Sequence, residues 1–403
     1  MKKALFSFAI AMAATALVAC GGKSANNAEG EATTTEESAA ATSDESPAMQ
    51  LLNSVPFTPE GLQSMIKTEK DKPLTDLEYE ALWLGYSKID IDEKTLELKN
   101  TPEFKAIKEQ FRDHKRPSNQ DAIIEKLINS TSPQVKGMAL LSYTSLFGVS
   151  SDNVTKVANV LKDEKNPFVL KKGIRTLMNE LKKEEAAKFV LAQVKNENSQ
   201  VRKEAAIAIG NPWSQGVPGV TEAAKELLYD KDDDVRGMML HCVGKLYDDS
   251  FIPDLVKVLN DDSQPKMHGE AIRSLYTMWY DYPFHKHTSK AAYDTTVNYL
   301  KKKPRTNNIP YWTSITETKL RAEKDYPAWK AKATYFKENE WVKLMTDIAT
   351  DPNANWLGRG PAVEIIAMYG TKADVEKVKS IIQANNNDKY QSQMLSSIEK
   401  VLK

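Results

Sequence analysis

One short stretch indicates the fold of this chain: Ser199-Gln-Val-Arg-Lys-Glu-Ala-Ala-Ile-Ala-Ile-Gly210. Its apolar residues Val201, Ala205 and Ile209 stand four positions apart, so they share one face of an α-helix. Gly210 follows directly, at a place where a small residue lets a helix end or a neighbour approach closely. The stretch therefore predicts an amphipathic helix that packs one face against a core.

The same pattern occurs five times between Ser132 and Tyr276. The residues equivalent to Val201 are Val135, Val169, Val235 and Met267, and the successive steps along the chain are 34, 32, 34 and 32 residues. Apolar or small residues follow four, five and eight positions later in each copy: Ala139, Leu140 and Tyr143; Gly173, Ile174 and Leu177; Ala205, Ala206 and Ile209; Met239, Leu240 and Val243; Ala271, Ile272 and Leu275. A constant period of this length, with helical spacing inside each copy, predicts stacked supersecondary units.

Each copy has a helix-start signal and is preceded by a second amphipathic stretch. Pro133, Pro167 and Pro265 lie two residues before the repeated apolar position, after Ser132, Asn166 and Gln264; the other copies have Asn198-Ser199 and Asp232-Asp233 there. Pro is tolerated in the first turn, and a preceding Ser, Asn or Asp can cap the free amides. The preceding stretches are Ala122–Asn129, Val154–Lys162, Ala186–Asn196, Val220–Tyr229 and Phe251–Asn260. Two helices cannot bury both apolar stripes alone, so the units must stack and share a core.

These copies resemble the HEAT repeats and, more broadly, the armadillo-like solenoids. Asp230 before Val235-Arg236 matches that pattern, as does Val201-Arg202 followed by Ala205-Ala206. The resemblance implies an all-α fold, an α-solenoid of stacked antiparallel helix pairs, with HEAT-like repeats over residues 119–280. It also implies a structural ladder of Asp–Arg contacts between units. Leu170 stands where the second copy should have a basic residue, so we expect the ladder to be interrupted there.

The beginning of the chain has the order of an export signal. Lys2-Lys3 precedes the apolar stretch Ala4–Ala16, which is too short to span a bilayer, and Leu17-Val-Ala-Cys20-Gly21 closes it. These last residues resemble a bacterial lipobox, which implies that residues 1–19 are removed and that the thiol of Cys20 receives a diacylglycerol. The alternative is an ordinary secretory signal in which Cys20 is incidental.

Residues 20–50 are expected to form a disordered acidic tether, because they contain few large apolar residues and cannot form a core. Residues 51–118 are expected to form helices that cap the first repeat. Helical repeats are expected to resume over 340–403, in helices near Glu340–Ala349, Leu357–Met368, Asp374–Gln383 and Tyr390–Leu402.

An aromatic-rich insert, residues 281–339, interrupts the repeat. About a fifth of the positions from 279 to 341 are aromatic, against 8% for the whole chain. One interpretation is that these rings pack on the solenoid in place of the missing repeat contacts. The other is a recognition surface, since Trp and Tyr are enriched in binding hot spots. Pro304, Pro310 and Pro327 predict short helices and loops here. Tyr311, Trp312 and Trp329 are the candidate binding residues.

Motifs of common enzyme classes are missing from the sequence, including the P-loop, the nucleophile elbow, H-E-x-x-H and the dinucleotide fingerprint. His285-Lys-His287 has metal-like spacing, but zinc needs three or four ligands, so we interpret the pair as surface histidines. Asp232-Asp233-Asp234 is interpreted as a charge cluster at a helix start, and Cys242 as a buried thiol. The formal net charge of zero argues against a broad nucleic-acid footprint. We therefore expect no catalytic residues, no cofactor, no metal and no nucleic-acid partner.

Three functions remain open at this stage. The first is a non-catalytic binding scaffold of the bacterial cell envelope, which is held at a membrane by the lipid on Cys20, faces the periplasm or the cell surface, and binds an envelope protein. The second is a lipoprotein that binds peptides or glycans through the aromatic insert. The third is an enzyme whose site is assembled from dispersed residues.

Overall fold

Helices arranged in a regular alternation make up most of the chain. The computed structural model describes residues 46–281, 287–305 and 308–403. From residue 120 onward, A helices alternate with B helices. The A helices are α5 (Gln120–Leu127), α7 (Ser151–Leu161), α9 (Glu184–Ala192), α11 (Val220–Leu228), α13 (Ile252–Leu259), α15 (Lys290–Leu300), α17 (Glu338–Ala349) and α19 (Lys372–Ala384). The B helices are α6 (Pro133–Phe147), α8 (Pro167–Leu177), α10 (Ser199–Ile209), α12 (Asp233–Cys242), α14 (Pro265–Trp279), α16 (Asn308–Lys330), α18 (Trp356–Tyr369) and α20 (Gln391–Leu402).

Each B helix packs against the next B helix, from α6 without a break to α20. The repeated apolar positions lie in this row: Val135, Val169, Val201 and Val235 are fully buried, and so is Ile209. Burial of one helix face against the next unit is the way in which a solenoid builds a core. The prediction of an all-α solenoid is confirmed.

The predicted helix starts are confirmed in most copies. The side chains of Ser132, Asn166, Asn198 and Asp232 accept hydrogen bonds from amides in the first turns of α6, α8, α10 and α12. Asp232-Asp233-Asp234 is therefore a helix-start cluster, as its sequence indicated. Gln264, before α14, instead accepts a hydrogen bond from the guanidinium of Arg236 at 3.0 Å.

The ladder between units pairs a basic residue of one B helix with a polar residue 28 or 29 positions later. Arg202 binds the carboxylate of Asp230 at 2.7 and 2.8 Å, and Lys136 binds Glu164 at 2.6 Å. Arg359, which the sequence analysis did not identify as a ladder residue, binds Asp388 with two bonds at 2.9 and 2.5 Å. Leu170 is 4% exposed at the equivalent position of α8, which confirms the expected interruption.

The N-terminal helices precede the repeats and differ from the prediction at two points. They are α1 (Pro47–Asn53), α2 (Pro59–Met65), α3 (Asp76–Gly85) and α4 (Pro102–Asp113). Helix α1 begins at Pro47 with Ser46 as its cap and Ala48 buried, so the predicted tether ends earlier than residue 50. A short antiparallel ribbon, β1 (Ile91–Asp92) with β2 (Glu97–Leu98), lies between α3 and α4.

The segment predicted as an insert of short helices and loops continues the row of B helices. Helix α16 has 23 residues, with Pro310 near its start and Pro327 near its end, where neither proline interrupts the helix. It packs against α14 on one side and α18 on the other. The sequence period is broken here, but the stacking of units is not.

Within the described ranges, none of the helices is both long enough and apolar enough to cross a bilayer. Residues 1–45, which contain the predicted signal and Cys20, lie outside the described residues.

Candidate binding cleft

The three candidate binding residues fall in two different environments. Trp312 is 44% exposed, whereas Tyr311 is 5% exposed and Trp329 is 1% exposed. The expectation that Tyr311 and Trp329 present a contact surface is therefore corrected: their side chains belong to the core. Trp312 alone of the three is placed where a partner could reach it.

Tyr311 is buried because it takes the position of a ladder residue. It is the fourth residue of α16, as Arg202 is of α10. Arg202 donates to the loop carbonyls of Asn196 and Glu197, and the hydroxyl of Tyr311 likewise donates to the carbonyls of Tyr299 and Lys302, at 3.3 and 3.2 Å.

The ion pair that Arg202 makes with a carboxylate in the ladder is made here by Arg305 instead of by Tyr311. Its guanidinium donates to Asp351 at 2.7 Å and to Asp347 at 2.6 Å, and it lies 5.9 Å from the ring centre of Tyr311. Arg305 is fully buried, and hydrogen bonds from Arg305 and Lys303 outweigh the effect of burial and lower the pKa of Asp347. A tyrosine and an arginine together thus replace one ladder arginine.

Trp329 is buried because it belongs to an aromatic cluster between α14, α16 and α17. Its indole donates to the carbonyl of Trp279 at 2.9 Å. Its ring lies 5.6 Å from that of Trp279, 4.7 Å from Tyr280 and 4.8 Å from Phe336. Such tilted and edge-on pairs contribute beyond their buried area. The interpretation that the aromatic residues pack within the solenoid is the one that the structure supports at this position.

Trp312 lies in a cleft at the start of three successive B helices. The cleft has a volume of about 940 Å³ and is lined by the first turns of α14, α16 and α18, together with the ends of α13 and α15. Its exposed apolar residues are Ile309 at 52%, Trp312 at 44% and Leu357 at 46%. Sequence reasoning missed Ile309 and Leu357. An available signal was that each stands in the first turn of a helix, where polar residues are more usual.

Polar groups also line the cleft. Lys302 donates to Asn260 at 2.6 Å and lies 5.6 Å above the ring of Tyr299. Lys303 pairs with Asp347 at 2.9 Å, and Asp262 is a further lining residue. Protein-binding surfaces combine apolar contact area with polar groups in this way. The arrangement can hold an apolar side chain and its backbone, and it presents amide, ammonium and carboxylate groups for hydrogen bonds.

Cys242 and His287, which the sequence analysis considered for chemistry, are packed against other side chains in the structure. Cys242 is 3% exposed, and burial raises the pKa of its thiol. The ring of His287 stacks on Tyr247 with centres 4.2 Å apart, and His285 lies outside the described residues. Across the described part of the chain, His, Cys, Asp and Glu side chains form no group of three or more that could hold a metal ion.

Comparisons with known proteins identify repeats in the middle of the chain. Residues 187–276, from within α9 to α14, match the family described as HEAT repeats. The crystal structure of an engineered protein from the Northeast Structural Genomics Consortium is 14% identical, with 89% of this chain and 98% of that chain covered and a TM-score of 0.36. Comparison with the curated proteins gave no match. The chain is an α-solenoid, and its residues 187–276 are similar to HEAT repeats.

Proposed function

We propose that this protein is a non-catalytic binding scaffold of the bacterial cell envelope, which holds a partner protein in the Trp312 cleft. HEAT repeats commonly mediate protein–protein contacts, and the family match covers α14, one wall of the cleft. The single observation that carries the proposal is that Ile309, Trp312 and Leu357 are all exposed around one cleft. A concave apolar surface of this kind favours the burial of a partner's side chain.

Trp312 is the residue of the cleft from which we expect the largest contribution to the free energy of binding. Transfer of apolar surface from water contributes about 25 cal/mol per Å², and a buried tryptophan commonly accounts for about 2 kcal/mol or more of a protein interface. The backbone of α16 lies close to α18 at this residue, since a Cβ added at Gly358 would lie 3.5 Å from the amide nitrogen of Trp312.

Membrane attachment is the second part of the proposal and rests on sequence alone. Cys20 follows an apolar segment and Leu17-Val-Ala, in the order of a lipobox. Two acyl chains are enough for stable anchoring, because each buried methylene contributes about 0.8 kcal/mol. The residues between Cys20 and Ser46 would separate the solenoid from the membrane surface.

The test compares two exposed tryptophans in partner capture from detergent-solubilised envelope. Trp312→Ala is expected to weaken capture at least about 30-fold, the equivalent of about 2 kcal/mol, without a change in melting temperature. Trp213→Ala is the matched control, because Trp213 is 55% exposed and lies in the loop after α10, outside the cleft. Equal capture by both variants and the wild type would contradict the proposal.

A glycan array probed with the wild type and the same two variants distinguishes protein binding from the alternative function, glycan binding. A single exposed indole can stack on a sugar ring, so a glycan-binding protein would show array signals that depend on Trp312 and no captured protein. A captured protein together with a blank array supports the scaffold.

A further inference from the structure

The ribbon of β1 and β2 reaches past the neighbouring B helix to contact a more distant one. It lies between α3 and α4, and nearby Gln134 of α6 donates to the carbonyl of Ile89 at 3.4 Å. Its tip reaches α8, where the ammonium of Lys171 donates to the carbonyl of Thr95 at 2.5 Å. The two contacting segments are 76 residues apart in the chain. The ribbon is therefore a strap across the start of the row of B helices.

A single carboxylate at the tip of this strap is surrounded by three cations of α8. Glu97 accepts from Lys171 at 2.8 Å and from Arg175 at 3.3 Å, and its second oxygen accepts from Lys172. The lysine side chains are 8% and 2% exposed. Arg175 has a second carboxylate partner, Glu204 of α10, with two bonds at 2.9 and 2.8 Å. Glu97 is thus the carboxylate that neutralises both buried lysines.

The electrostatics show that this place on α8 requires an anion. Burial opposes ionisation of Glu97, yet hydrogen bonds from Lys171 and Lys172 outweigh it and lower the pKa of Glu97 to about 2. Burial also lowers the pKa of Lys172, although Glu97 acts in the opposite direction. Two adjacent ammonium groups out of water are costly without a counter-charge. The two lysines of α8 therefore need a carboxylate partner, which Glu97 supplies here.

The exposure of Glu97 makes its side chain a replaceable occupant of this site. Glu97 is 39% exposed and Arg175 is 35% exposed, so the ion pairs open to solvent on the side of the carboxylate. The neighbouring Leu96 and Leu98 are each 7% exposed and belong to the core, so the ribbon stays packed when the Glu97 side chain leaves the cations.

We propose that Lys171, Lys172 and Arg175 form a carboxylate-binding site for an acidic peptide segment of a partner, and that Glu97 fills this site in the free protein. The acidic segment displaces the Glu97 side chain and loosens the strap, so the site is held closed until a partner with several carboxylates competes. The site lies on α8, on different helices from the Trp312 cleft, and it stands or falls independently of the proposed function.

The test measures binding of fluorescein-labelled hexaglutamate by anisotropy. Wild type is expected to bind weakly, because Glu97 competes within the same molecule. Glu97→Gln is expected to bind at least about tenfold more tightly, and the combination of Glu97→Gln with Lys171→Gln and Lys172→Gln should lose that gain. Glu93→Gln, an exposed residue of the same strap, is the matched control and should bind like the wild type.

A second measurement uses the unmodified protein, so that the outcome does not depend on how Glu97→Gln folds. Hydrogen exchange of the strap amides, including Leu96, which donates to Asp92, and Lys99, which donates to Asp90, should speed up when hexaglutamate is added. Hexaserine should leave the exchange unchanged. Unchanged strap exchange together with equal hexaglutamate affinity of wild type and Glu97→Gln would overturn the proposal and leave Glu97 as a structural ion pair.

Discussion

At the scale of single residues, close packing between units depends on glycines at the ends of B helices. Gly244 lies in the 3-10 turn after α12, and a Cβ added there would lie 2.4 Å from the carbonyl oxygen of Ser274 and 2.7 Å from its Cα. These are backbone atoms of α14, so they cannot rotate away. The sequence indicated that Gly210 permits close approach, and the structure confirms it, since a Cβ at Gly210 would lie 2.2 Å from the Cβ of Cys242.

Gly244→Ala is expected to lower the free energy of unfolding by about 2 kcal/mol or more, because overpacking forces two B helices apart. Gly237→Ala is the matched control within α12: the nearest atom to its new Cβ is the sulfur of Met267 at 3.6 Å, an ordinary contact. Since Ala favours a helix over Gly by about 0.5 to 1 kcal/mol, this control should be neutral or stabilising. Urea denaturation followed by circular dichroism measures both, and an equal loss in the two variants would contradict the packing argument.

Glu78 is a buried carboxylate that organises the start of α3. It accepts from the amides of Lys67, Thr68 and Thr75, at 2.6, 3.1 and 3.0 Å, and from the hydroxyls of both threonines. Burial opposes its ionisation, but the hydrogen bonds outweigh burial and lower its pKa to about 2.

A carboxylate with a lowered pKa stabilises the fold above its unfolded pKa, near 4.5, and that contribution is lost as pH falls toward 2. Glu78→Gln should therefore be less stable than the wild type at pH 7, by about 2 kcal/mol for the lost charged hydrogen bonds. The difference should shrink between pH 4.5 and pH 2. Urea denaturation at pH 7, 4.5 and 3 measures it, and the exposed Glu93→Gln is the control. A difference that stays constant with pH would contradict the assigned role of the charge.

At the scale of elements, the ends of helices with a clear apolar period were predicted to within a few residues. The C-terminal helices expected near Glu340–Ala349 and Leu357–Met368 are α17 and α18, which run from Glu338 to Ala349 and from Trp356 to Tyr369. Helix α16 was not predicted as one helix, because Pro304, Pro310 and Pro327 indicated short helices and loops. Pro310 lies in the first turn of α16, where proline is tolerated, and Pro327 lies near its end. Contacts with α14 and α18 stabilise the helix as one element.

Trp329→Ala is expected to cost about 3 to 5 kcal/mol, because it leaves a cavity among Trp279, Tyr280 and Phe336 and removes a hydrogen bond to Trp279. Trp312→Ala on the same helix is the control and should change stability by less than about 0.5 kcal/mol, as expected for a surface site. Thermal and urea unfolding measure both. Similar losses of stability in the two variants would contradict the burial of Trp329 and the exposure of Trp312.

At the scale of the whole molecule, the solenoid offers an extended surface, and the predicted anchor would restrict where that surface acts. Arg359 with Asp388 and Arg305 with Asp351 extend the ladder into the C-terminal units, so the row remains continuous beyond residues 187–276. Helices α16 and α18 place the exposed Ile309, Trp312 and Leu357 around one cleft of this surface, where the proposed partner would bind.

Cys20→Ala is expected to leave uncleaved precursor or to release the protein from the membrane fraction, because the thiol is the group to be acylated. Fractionation with metabolic labelling by a fatty acid measures this. Cys242→Ala is the control, since Cys242 is buried in the solenoid and should leave the label unchanged. A Cys20→Ala protein that is processed, labelled and retained like the wild type would contradict the lipobox interpretation.

The sequence by itself determined the helix pairs, most of their caps and most of the buried positions from Val135 to Leu275. These features depend on spacing within one turn or one repeat, so the physical information is local. Only the tertiary structure decided which aromatic side chains are buried and which charges meet. Trp329 contacts Trp279 across 50 positions, and Lys172 binds Glu97 across 75. Such contacts depend on how units stack, and stacking brings together residues whose separation follows no local period.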